Sequence, residues 1–248
     1  MSSQTGYDAQ HSLEVFRSLI DNAKPESICF FGGAGVSTAS GIPDFRSATG
    51  IFNEQYPYPP EVIVSHSFFL EHPQAFYDFY RGKMIFPNAK PNQAHIKLAQ
   101  LEHAGKVCGV ITQNIDGLHQ KAGSKKVYEL HGSVHKYYCM NCGATYSLDD
   151  IMATTDVPRC SLCDGIVRPD VVLYEEPLDP AVIEEAVETI AHSDILIVGG
   201  TSLTVYPAAG FLQYFSGDRL IIINHTPTSF DKQADLCLTC DIAHAFDF

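Results

Sequence analysis

Two Cys-x-x-Cys pairs constrain this chain more than any other feature of its sequence. The first is Cys139-Met-Asn-Cys142, and the second is Cys160-Ser-Leu-Cys163. Pairs of this kind, about 15–20 residues apart, place four thiolates around one tetrahedral Zn²⁺ ion. Because four thiolates fill the coordination shell of zinc, no position stays open for a catalytic water. The pattern therefore predicts a structural zinc module, and an active site has to lie elsewhere in the chain.

Two disulfides, or unrelated thiols, are the alternative interpretation of the same cysteines. Disulfides persist in oxidising compartments, whereas a reducing compartment keeps thiols free to bind metal. The first 25 residues lack the uninterrupted apolar segment of an export signal, because Glu14, Arg17, Asp21 and Lys24 interrupt it. We therefore expect a cytoplasmic protein whose cysteines hold one structural Zn²⁺.

The composition is typical of one large domain with a smaller one. Of the 248 residues, 45% are hydrophobic and 18% are charged. Apolar runs such as 195–198 are far shorter than the roughly 20 residues that cross a bilayer. The formal net charge of −13 would repel a phosphate backbone, and no basic run offsets it. We therefore expect a soluble protein that binds neither membranes nor nucleic acid directly.

Apolar runs alternate with helical patterns along most of the chain. The runs predict buried parallel strands at 28–31, 107–111, 127–130, 195–198 and 220–223. Helical spacing and capping signals predict helices over about 12–23, 91–105 and 179–190. Strands that alternate with helices indicate an α/β fold with a Rossmann-type, doubly wound parallel sheet.

Two segments interrupt this alternation and divide the chain into parts. We expect residues 1–48, 88–133 and 170–248 to form the nucleotide-binding domain. Residues 49–87, rich in aromatic side chains, should form a helical or loop-rich insert, and residues 134–169 should form a zinc-ribbon insert. The sequence thus predicts a Rossmann-type domain beside a smaller zinc-ribbon and helical domain.

A glycine-rich segment, Gly32-Gly-Ala-Gly-Val-Ser-Thr-Ala-Ser-Gly41, directly follows the first predicted strand. Glycines at such a turn let the backbone approach a pyrophosphate, and a following helix offers its free N–H groups. The spacing departs from the dehydrogenase pattern G-x-G-x-x-G, because Thr38 stands where the third glycine belongs. The segment therefore predicts a dinucleotide site and argues against plain hydride transfer.

Polar side chains follow two further predicted strands. Asn114 and Asp116 come after the second strand, and His131 comes after the third. Open α/β sheets bind ligands at the carboxyl ends of their strands. Asn114 and Asp116 are candidates to contact a carboxamide or a water, although both residue types also form ordinary turns. His131 is a candidate general base, because the ordinary histidine pKa lies near neutral pH.

Together these segments resemble the sirtuin family of NAD-dependent protein-lysine deacylases. The matching segments, in chain order after residue 25, are GAGVSTASGIPDFR, TQNIDGLH, ELHG, the four cysteines, PDVVLYEE, GTSLTVYPA and IIINHTP. The resemblance implies a cleft between an NAD domain and a zinc-containing domain, where NAD meets an acetyl-lysine protein or peptide. NAD would be consumed as a co-substrate, and the products would be nicotinamide, free lysine and O-acyl-ADP-ribose.

The resemblance also implies roles for individual residues. His131 would be the general base, and Phe45 would shield the reacting ribose from water. The implied cofactor-binding residues are Ala34, Thr38, Phe45, Arg46, Gln113, Asn114, Ile115, Asp116, Thr201, Ser202, Asn224 and Ile242. The implied substrate-binding residues are Val171, Val172, Leu173 and Tyr174, where a peptide would add as a strand.

Two positions carry information on the substrate. Glu175 stands where family members commonly have glycine, which bears on peptide preference. Relatives that remove succinyl or malonyl groups have a tyrosine followed three residues later by an arginine. Here Tyr77 fits the tyrosine, but Tyr80 occupies the arginine position and Arg81 is one step further. One step turns a helical side chain by about 100°, so Arg81 should point away and deacetylation is expected.

Several alternatives remain beside NAD-dependent deacetylation. They are protein ADP-ribosyl transfer, removal of other acyl groups, and noncatalytic sensing of NAD or ADP-ribose. A zinc-ribbon nucleic-acid binder is disfavoured by the acidic charge.

We interpret a third pair, Cys237 and Cys240, as incidental, and Cys29 and Cys108 as core residues. The sequence identifies neither the protein substrate nor the oligomeric state.

Overall fold

The structure of the protein is a computed structural model that describes residues 4–45, 47, 50–53 and 56–248, without the side chains of residues 4–8 and 53. Its α-helices are α1 (Gln4–Asp21), α2 (Pro60–Ile63), α3 (His66–Glu71), α4 (Pro73–Lys83), α5 (Gln93–His103), α6 (Leu118–Ala122), α7 (Leu148–Met152), α8 (Pro180–His192) and α9 (Ile242–Ala245). Its strands are β1 (Ile28–Gly32), β2 (Val107–Thr112), β3 (Val127–Glu129), β4 (Gly132–Cys139), β5 (Thr145–Ser147), β6 (Val167–Val171), β7 (Ile195–Gly199), β8 (Arg219–Ile223) and β9 (Leu236–Leu238). Short 3₁₀ helices span Ala34–Val36, Thr38–Ser40, Ile51–Asn53 and Ala208–Tyr214.

Six strands form one parallel sheet in the order β3-β2-β1-β7-β8-β9. In β1, near the centre, Phe30 pairs with Val110 on one side and with Ile197 on the other. β1 and β7 are buried along their whole length. Strands buried on both faces need near-continuous apolar runs, which is why these runs were visible in the sequence. The predicted parallel sheet is confirmed.

Each face of this sheet carries its own hydrophobic core. Phe30 and Ile197 pack on the face covered by α1, α5 and α9. Phe31 and Val198 pack on the opposite face, which α8 covers. Because successive residues of a strand point to opposite faces, one apolar run supplies both cores. The sheet is doubly wound, as predicted.

A smaller unit is built on an antiparallel sheet of order β5-β4-β6. Phe69 of α3 and Phe76 and Tyr80 of α4 share one core with Tyr137 and Val167 of this sheet. The helical segment and the zinc-ribbon segment therefore bury their apolar side chains against each other. This confirms the predicted fold class, a Rossmann-type sheet beside a smaller zinc-ribbon and helical domain. The predicted residue ranges of the parts stay a prediction.

The helix boundaries differ from the prediction mainly at the amino terminus. α1 begins at Gln4 instead of at about residue 12. Residues 4–11 contain few apolar residues, so hydrophobic periodicity gave no signal there. A helix that is already nucleated extends at low cost, which explains the added turns. Among the described residues, no helix is both long and apolar enough to cross a membrane.

Candidate active site

A cavity of about 590 Å³ lies at the carboxyl ends of the parallel strands. Ala34 follows β1, Gln113 follows β2, Gly200 follows β7 and Asn224 follows β8, and all four line it. Tyr80 of α4 lines it as well, so the cavity lies between the large sheet and the smaller unit. Its volume is within the range of small-molecule and cofactor sites, about 300–1,000 Å³.

The cavity brings together nearly all of the residues that the sequence assigned to binding or catalysis. These are Ala34, Thr38, Phe45, Gln113, Asn114, Ile115, Asp116, His131, Val171, Val172, Leu173, Tyr174, Thr201, Ser202, Asn224 and Ile242. Arg46, the remaining predicted cofactor residue, lies outside the described residues. The cysteines predicted to bind zinc do not line the cavity.

The glycine-rich segment packs directly against the end of β7. The Gly35 N–H donates to the Gly200 carbonyl at 2.8 Å. A Cβ added at Gly35 would lie 2.8 Å from the Gly200 Cα, and one added at Gly33 would lie 2.8 Å from the Thr201 Cβ. No side chain fits at either position, and Gly35, which lines the cavity, presents bare backbone to it. Bare backbone is what a pyrophosphate group can approach closely.

Ser37 joins the glycine-rich segment to the loop after β2. Its hydroxyl donates to Asp116 Oδ2 at 2.7 Å and accepts from Asn114 Nδ2 at 3.1 Å. The other oxygen of Asp116 accepts from the Leu118 N–H at 2.8 Å. Sequence reasoning missed Ser37, although its place directly after the glycine run was an available signal. Asn114 and Asp116 therefore position the glycine-rich segment in addition to forming a turn.

Gln113 offers an unused hydrogen-bond donor to the cavity. Its Oε1 accepts from the Thr201 hydroxyl at 3.0 Å. Its Nε2 is buried and has no hydrogen-bond partner among the described residues. Buried donors are almost always paired in native proteins, so this donor calls for a partner such as a water or a polar ligand. This donor and the backbone wall fit the ribose and phosphate oxygens of a dinucleotide such as NAD.

His131 lies on the same cavity wall, between β3 and β4. Its Nδ1 is 2.9 Å from the Gln113 carbonyl oxygen. A carbonyl only accepts, so Nδ1 carries the proton and Nε2 is the basic nitrogen of the neutral ring. Burial lowers the pKa of His131, and the hydrogen bond to Gln113 opposes this effect in part. The ring is therefore held neutral and in one tautomer at neutral pH, as a general base requires.

The four predicted zinc ligands lie together in the smaller unit. The sulfur atoms of Cys139, Cys142, Cys160 and Cys163 all lie within 4.8 Å of one another. Two of the sulfur pairs are separated by 3.4 Å and 3.5 Å, much longer than a disulfide bond. A zinc tetrahedron with bonds of about 2.3 Å has sulfur atoms roughly 3.8 Å apart. The cluster therefore fits a structural Zn²⁺ and excludes the disulfide interpretation.

Comparison with known families identifies the family of this chain. Residues 33–207 match the model of the Sir2 family. The chain belongs to the Sir2 family. The NAD-dependent protein deacetylase of Clostridium acetobutylicum is 54% identical over 91% of this chain and 93% of its own length. That of Cutibacterium acnes is 55% identical over 94% and 93%. The resemblance indicated by the motifs is confirmed.

Solved Sir2 structures superpose on this chain over almost its whole length. A Sir2 complex with a deacetylated p53 peptide and 3′-O-acetyl-ADP-ribose has a TM-score of 0.87 at 40% identity, and it covers 94% of this chain and 95% of its own. A Sir2 complex with a p53 peptide and NAD⁺ has a TM-score of 0.83 at 41% identity, with the same coverage. This Sir2-family chain therefore has the fold that, in these solved structures, binds a peptide together with NAD⁺ or with acetyl-ADP-ribose.

The segment predicted to pair with a peptide is already partly bonded within this Sir2-family chain. The Val172 N–H donates to the His131 carbonyl, and the Tyr174 N–H donates to the Val64 carbonyl, both at 3.0 Å. The Tyr174 carbonyl accepts from the His66 N–H at 3.0 Å. A substrate strand would have to use the remaining backbone groups of this segment. A substrate strand would therefore form fewer backbone hydrogen bonds with this segment than it would along a free sheet edge.

Glu175 takes a left-handed backbone conformation, with φ of 77°. Glycine adopts this conformation without strain, in keeping with the glycine that the family resemblance implies at this position. Here the carboxylate of Glu175 accepts from the backbone N–H and the hydroxyl of Ser67, each at 2.9 Å. These bonds at the start of α3 offset the backbone strain that the side chain brings.

Arg81 points away from the cavity, as the helical spacing predicted. Its guanidinium donates to the Thr155 carbonyl at 2.8 Å and to the Asp156 carbonyl at 2.7 Å, and it lies over the Tyr77 ring. Tyr80 lines the cavity in its place, and burial raises the pKa of Tyr80 well above its usual range. At the Tyr80 position the wall is therefore aromatic, and Lys83 of the same helix lines the cavity as well.

The remaining cysteines form no second metal site among the described residues. Cys237 is exposed on β9, and Cys29 is buried in β1. Cys240 lines the cavity beside Asn224, a position that the sequence gave no reason to expect. The exposed Tyr206 also lines the cavity and was missed, because an isolated tyrosine carries no positional signal.

Proposed function

We infer that this chain is an NAD-dependent protein-lysine deacetylase. The observation that carries the inference is one cavity that unites the bare backbone of Gly35, the amide of Gln113 with its unpaired Nε2 and the proposed base His131. The family membership and the names of the curated relatives support the same reaction. When bound, NAD supplies an electrophilic ribose carbon with nicotinamide as the leaving group.

The residues that would hold NAD divide by the part of the cofactor that they suit. Gly35 and Ser202 suit the phosphates, and Asn224 and Ile242 suit the adenosine end. Gln113, Asn114 and Asp116 suit the reacting ribose and the carboxamide. Arg46 stays part of this proposal as a residue implied by the family motif.

His131 would act as the general base through Nε2. The Gln113 carbonyl holds its Nδ1 proton, so the ring can accept a proton at Nε2 without changing its orientation. Phe45, which packs against Phe52 with ring centroids 5.2 Å apart, would close the cavity wall and exclude water. The four thiolates hold Zn²⁺ outside the cavity, so this metal stabilises the smaller unit and takes no part in the chemistry.

The acyl group removed would be acetyl. Arg81 is held by backbone carbonyls of residues 155 and 156, and Tyr80 stands at the cavity wall. A dicarboxylic acyl group would bring its carboxylate to a wall position that holds Tyr80 instead of an arginine, and a carboxylate that leaves water without that partner is costly. The acetyl-lysine peptide would lie along residues 171–174. We propose the cytoplasm as the place of action, where a reducing environment keeps the zinc thiolates free.

The test follows three products in one assay. The protein is incubated with an acetyl-lysine peptide, with and without NAD, and products are followed by mass spectrometry. We expect free lysine peptide, nicotinamide and O-acetyl-ADP-ribose in equal amounts, and only with NAD. A succinyl-lysine peptide of the same sequence should react far more slowly.

Other outcomes identify the alternatives. Nicotinamide release with the acetyl group intact would indicate ADP-ribosyl transfer or NAD hydrolysis. Faster reaction of the succinyl peptide would overturn the acyl assignment alone. NAD binding without turnover of any acyl peptide would indicate a sensor.

A further inference from the structure

Asn92 is a side chain outside the cavity that holds the cavity wall in place. It is the N-cap of α5 and does not line the cavity. Its Nδ2 donates to the Val36 carbonyl at 2.8 Å and to the Ser40 hydroxyl at 2.9 Å. We propose that Asn92 is a positioning residue for NAD, which acts by clamping the turn that carries Ser37 and Thr38.

The two bonds lie on either side of the residues that face the ligand. Val36 and Ser40 do not line the cavity, whereas Ser37 and Thr38, which lie between them, do. The clamp therefore fixes both ends of a short turn without occupying the site. Ser37 in turn bonds Asn114 and Asp116, so its position sets that of the polar residues after β2.

The clamped turn has little other support on this side. It consists of the two 3₁₀ helices Ala34–Val36 and Thr38–Ser40, whose hydrogen bonds have poorer geometry than those of an α-helix. Ala39 is exposed to solvent, so packing does not hold the second of them. Apart from bonds within the turn, such as the one from the Thr38 hydroxyl to the Gly35 carbonyl, the bonds from the end of α5 therefore restrain its outer half.

Asn92 is itself firmly oriented. Its Oδ1 accepts from the Ala94 N–H at 3.0 Å, and its own N–H donates to His95 Nδ1 at 3.3 Å. Rotating the amide by 180° would place Oδ1 against the Val36 carbonyl, so the network admits one orientation. Burial lowers the pKa of His95 to about 4, so its Nδ1 remains an acceptor at neutral pH.

The proposal rests on the proposed use of NAD, and two variants separate it from a capping role. Asn92→Ser retains a good N-cap acceptor for α5 but is too short to reach Val36 or Ser40. Ser40→Ala removes one acceptor of the clamp and leaves the α5 cap intact. For both variants, the NAD dissociation constant is measured by calorimetry, and the stability of the NAD-free protein by urea unfolding.

We expect Asn92→Ser to weaken NAD binding about five- to tenfold, which corresponds to the net contribution of one or two hydrogen bonds. Ser40→Ala should weaken it less, and the double variant should be no worse than Asn92→Ser alone, because both remove the same contact. Hydrogen exchange should become faster in residues 34–41. The unfolding midpoint should fall only slightly, and the Michaelis constant for the peptide should stay close to the wild-type value.

Opposite results overturn the proposal in distinguishable ways. If Asn92→Ser lowers stability and speeds exchange in α5 while NAD affinity stays within twofold, Asn92 is only a helix cap. If the two variants are additive, Ser40 and Asn92 act independently and there is no clamp. If the wild-type protein itself does not bind NAD, the proposed function fails and this inference fails with it.

Discussion

At the scale of single residues, two features of its surroundings make His131 suitable as a base. Burial lowers its pKa, while the Gln113 carbonyl fixes which nitrogen carries the proton. The motif alone indicated the residue but not its tautomer, because the carbonyl that selects it belongs to a different strand end. The lowered pKa of His131 should be measurable in the pH dependence of activity.

In the proposed reaction the neutral form of His131 is the active one, so activity should fall as the pH drops through the pKa of His131 in the folded protein. Because that pKa is lowered, the acidic limb of kcat/KM for NAD should lie below the ordinary histidine value of about 6.5. His131→Ala should reduce turnover about 10²–10⁴-fold and remove this limb. His103→Ala, an exposed histidine on α5, is the matched control and should change neither. An acidic limb above 6.5 would contradict the assignment.

Glu175 allows backbone strain to be measured apart from side-chain contacts. Glu175→Gly and Glu175→Ala both remove the bonds to Ser67, but only alanine keeps a Cβ in the left-handed conformation. The alanine variant should therefore be less stable than the glycine variant by about 1 kcal/mol. Urea unfolding of the pair gives this difference directly. Equal stabilities would mean that the left-handed conformation costs nothing at this position.

At the scale of elements, an ion pair anchors β6 to the loop that follows it. The guanidinium of Arg168 donates to both carboxylate oxygens of Glu176, at 2.6 Å and 3.0 Å, and its side chain is 7% exposed. Glu176 also accepts from the Leu173 N–H at 2.8 Å and contacts His66 Nδ1. The pair thereby sets the path of the segment proposed to bind the peptide.

Removing one partner should leave a buried charge unpaired. Glu176→Ala should lower the free energy of unfolding by about 3–5 kcal/mol, because the desolvation penalty of the Arg168 guanidinium remains while its ion-pair partner is lost. Lys24→Ala breaks an exposed ion pair with Asp194 and serves as the control, with no measurable shift in the urea midpoint expected. A similar small shift for both variants would show that Arg168 finds water or another acceptor.

The sequence predicted the parallel strands closely and the smaller unit poorly. Strands such as β1 and β7 are buried on both faces, so their apolar runs mark their limits within one residue. β4 alternates buried and exposed residues irregularly, because a register shift between Ser133 and Tyr137 interrupts its pairing with β6. No periodicity survives such a shift, so the antiparallel sheet was visible only through its cysteines.

At the scale of the whole molecule, the zinc cluster and the helical segment share one hydrophobic core. Cys139 and Cys160 are themselves part of that core, together with Phe76 and Tyr80. Loss of the metal should therefore loosen the helices as well as the ribbon, and the cavity wall formed by Tyr80 should move. The large parallel sheet has separate cores and should persist.

Cys142→Ser tests this dependence, with Cys237→Ser as a matched control outside the cluster. We expect Cys142→Ser to lose bound zinc and deacetylase activity, and to become sensitive to protease within residues 132–171. Zinc content by elemental analysis and mapping of the cleavage sites measure both effects. Cys237→Ser should match the wild type. Full activity in zinc-free protein would show that the shared core holds without the metal.

The strand order also governs what happens while the chain is being synthesised. β1 carries the glycine-rich segment, yet Ile28 of β1 pairs with Ile195 of β7, far along the chain. Until β7 leaves the ribosome, β1 has only β2 beside it and presents an unpaired apolar edge. The smaller unit lies wholly before β7 and can assemble first. The nascent chain is therefore most prone to aggregation in the interval between the completion of β2 and the arrival of β7.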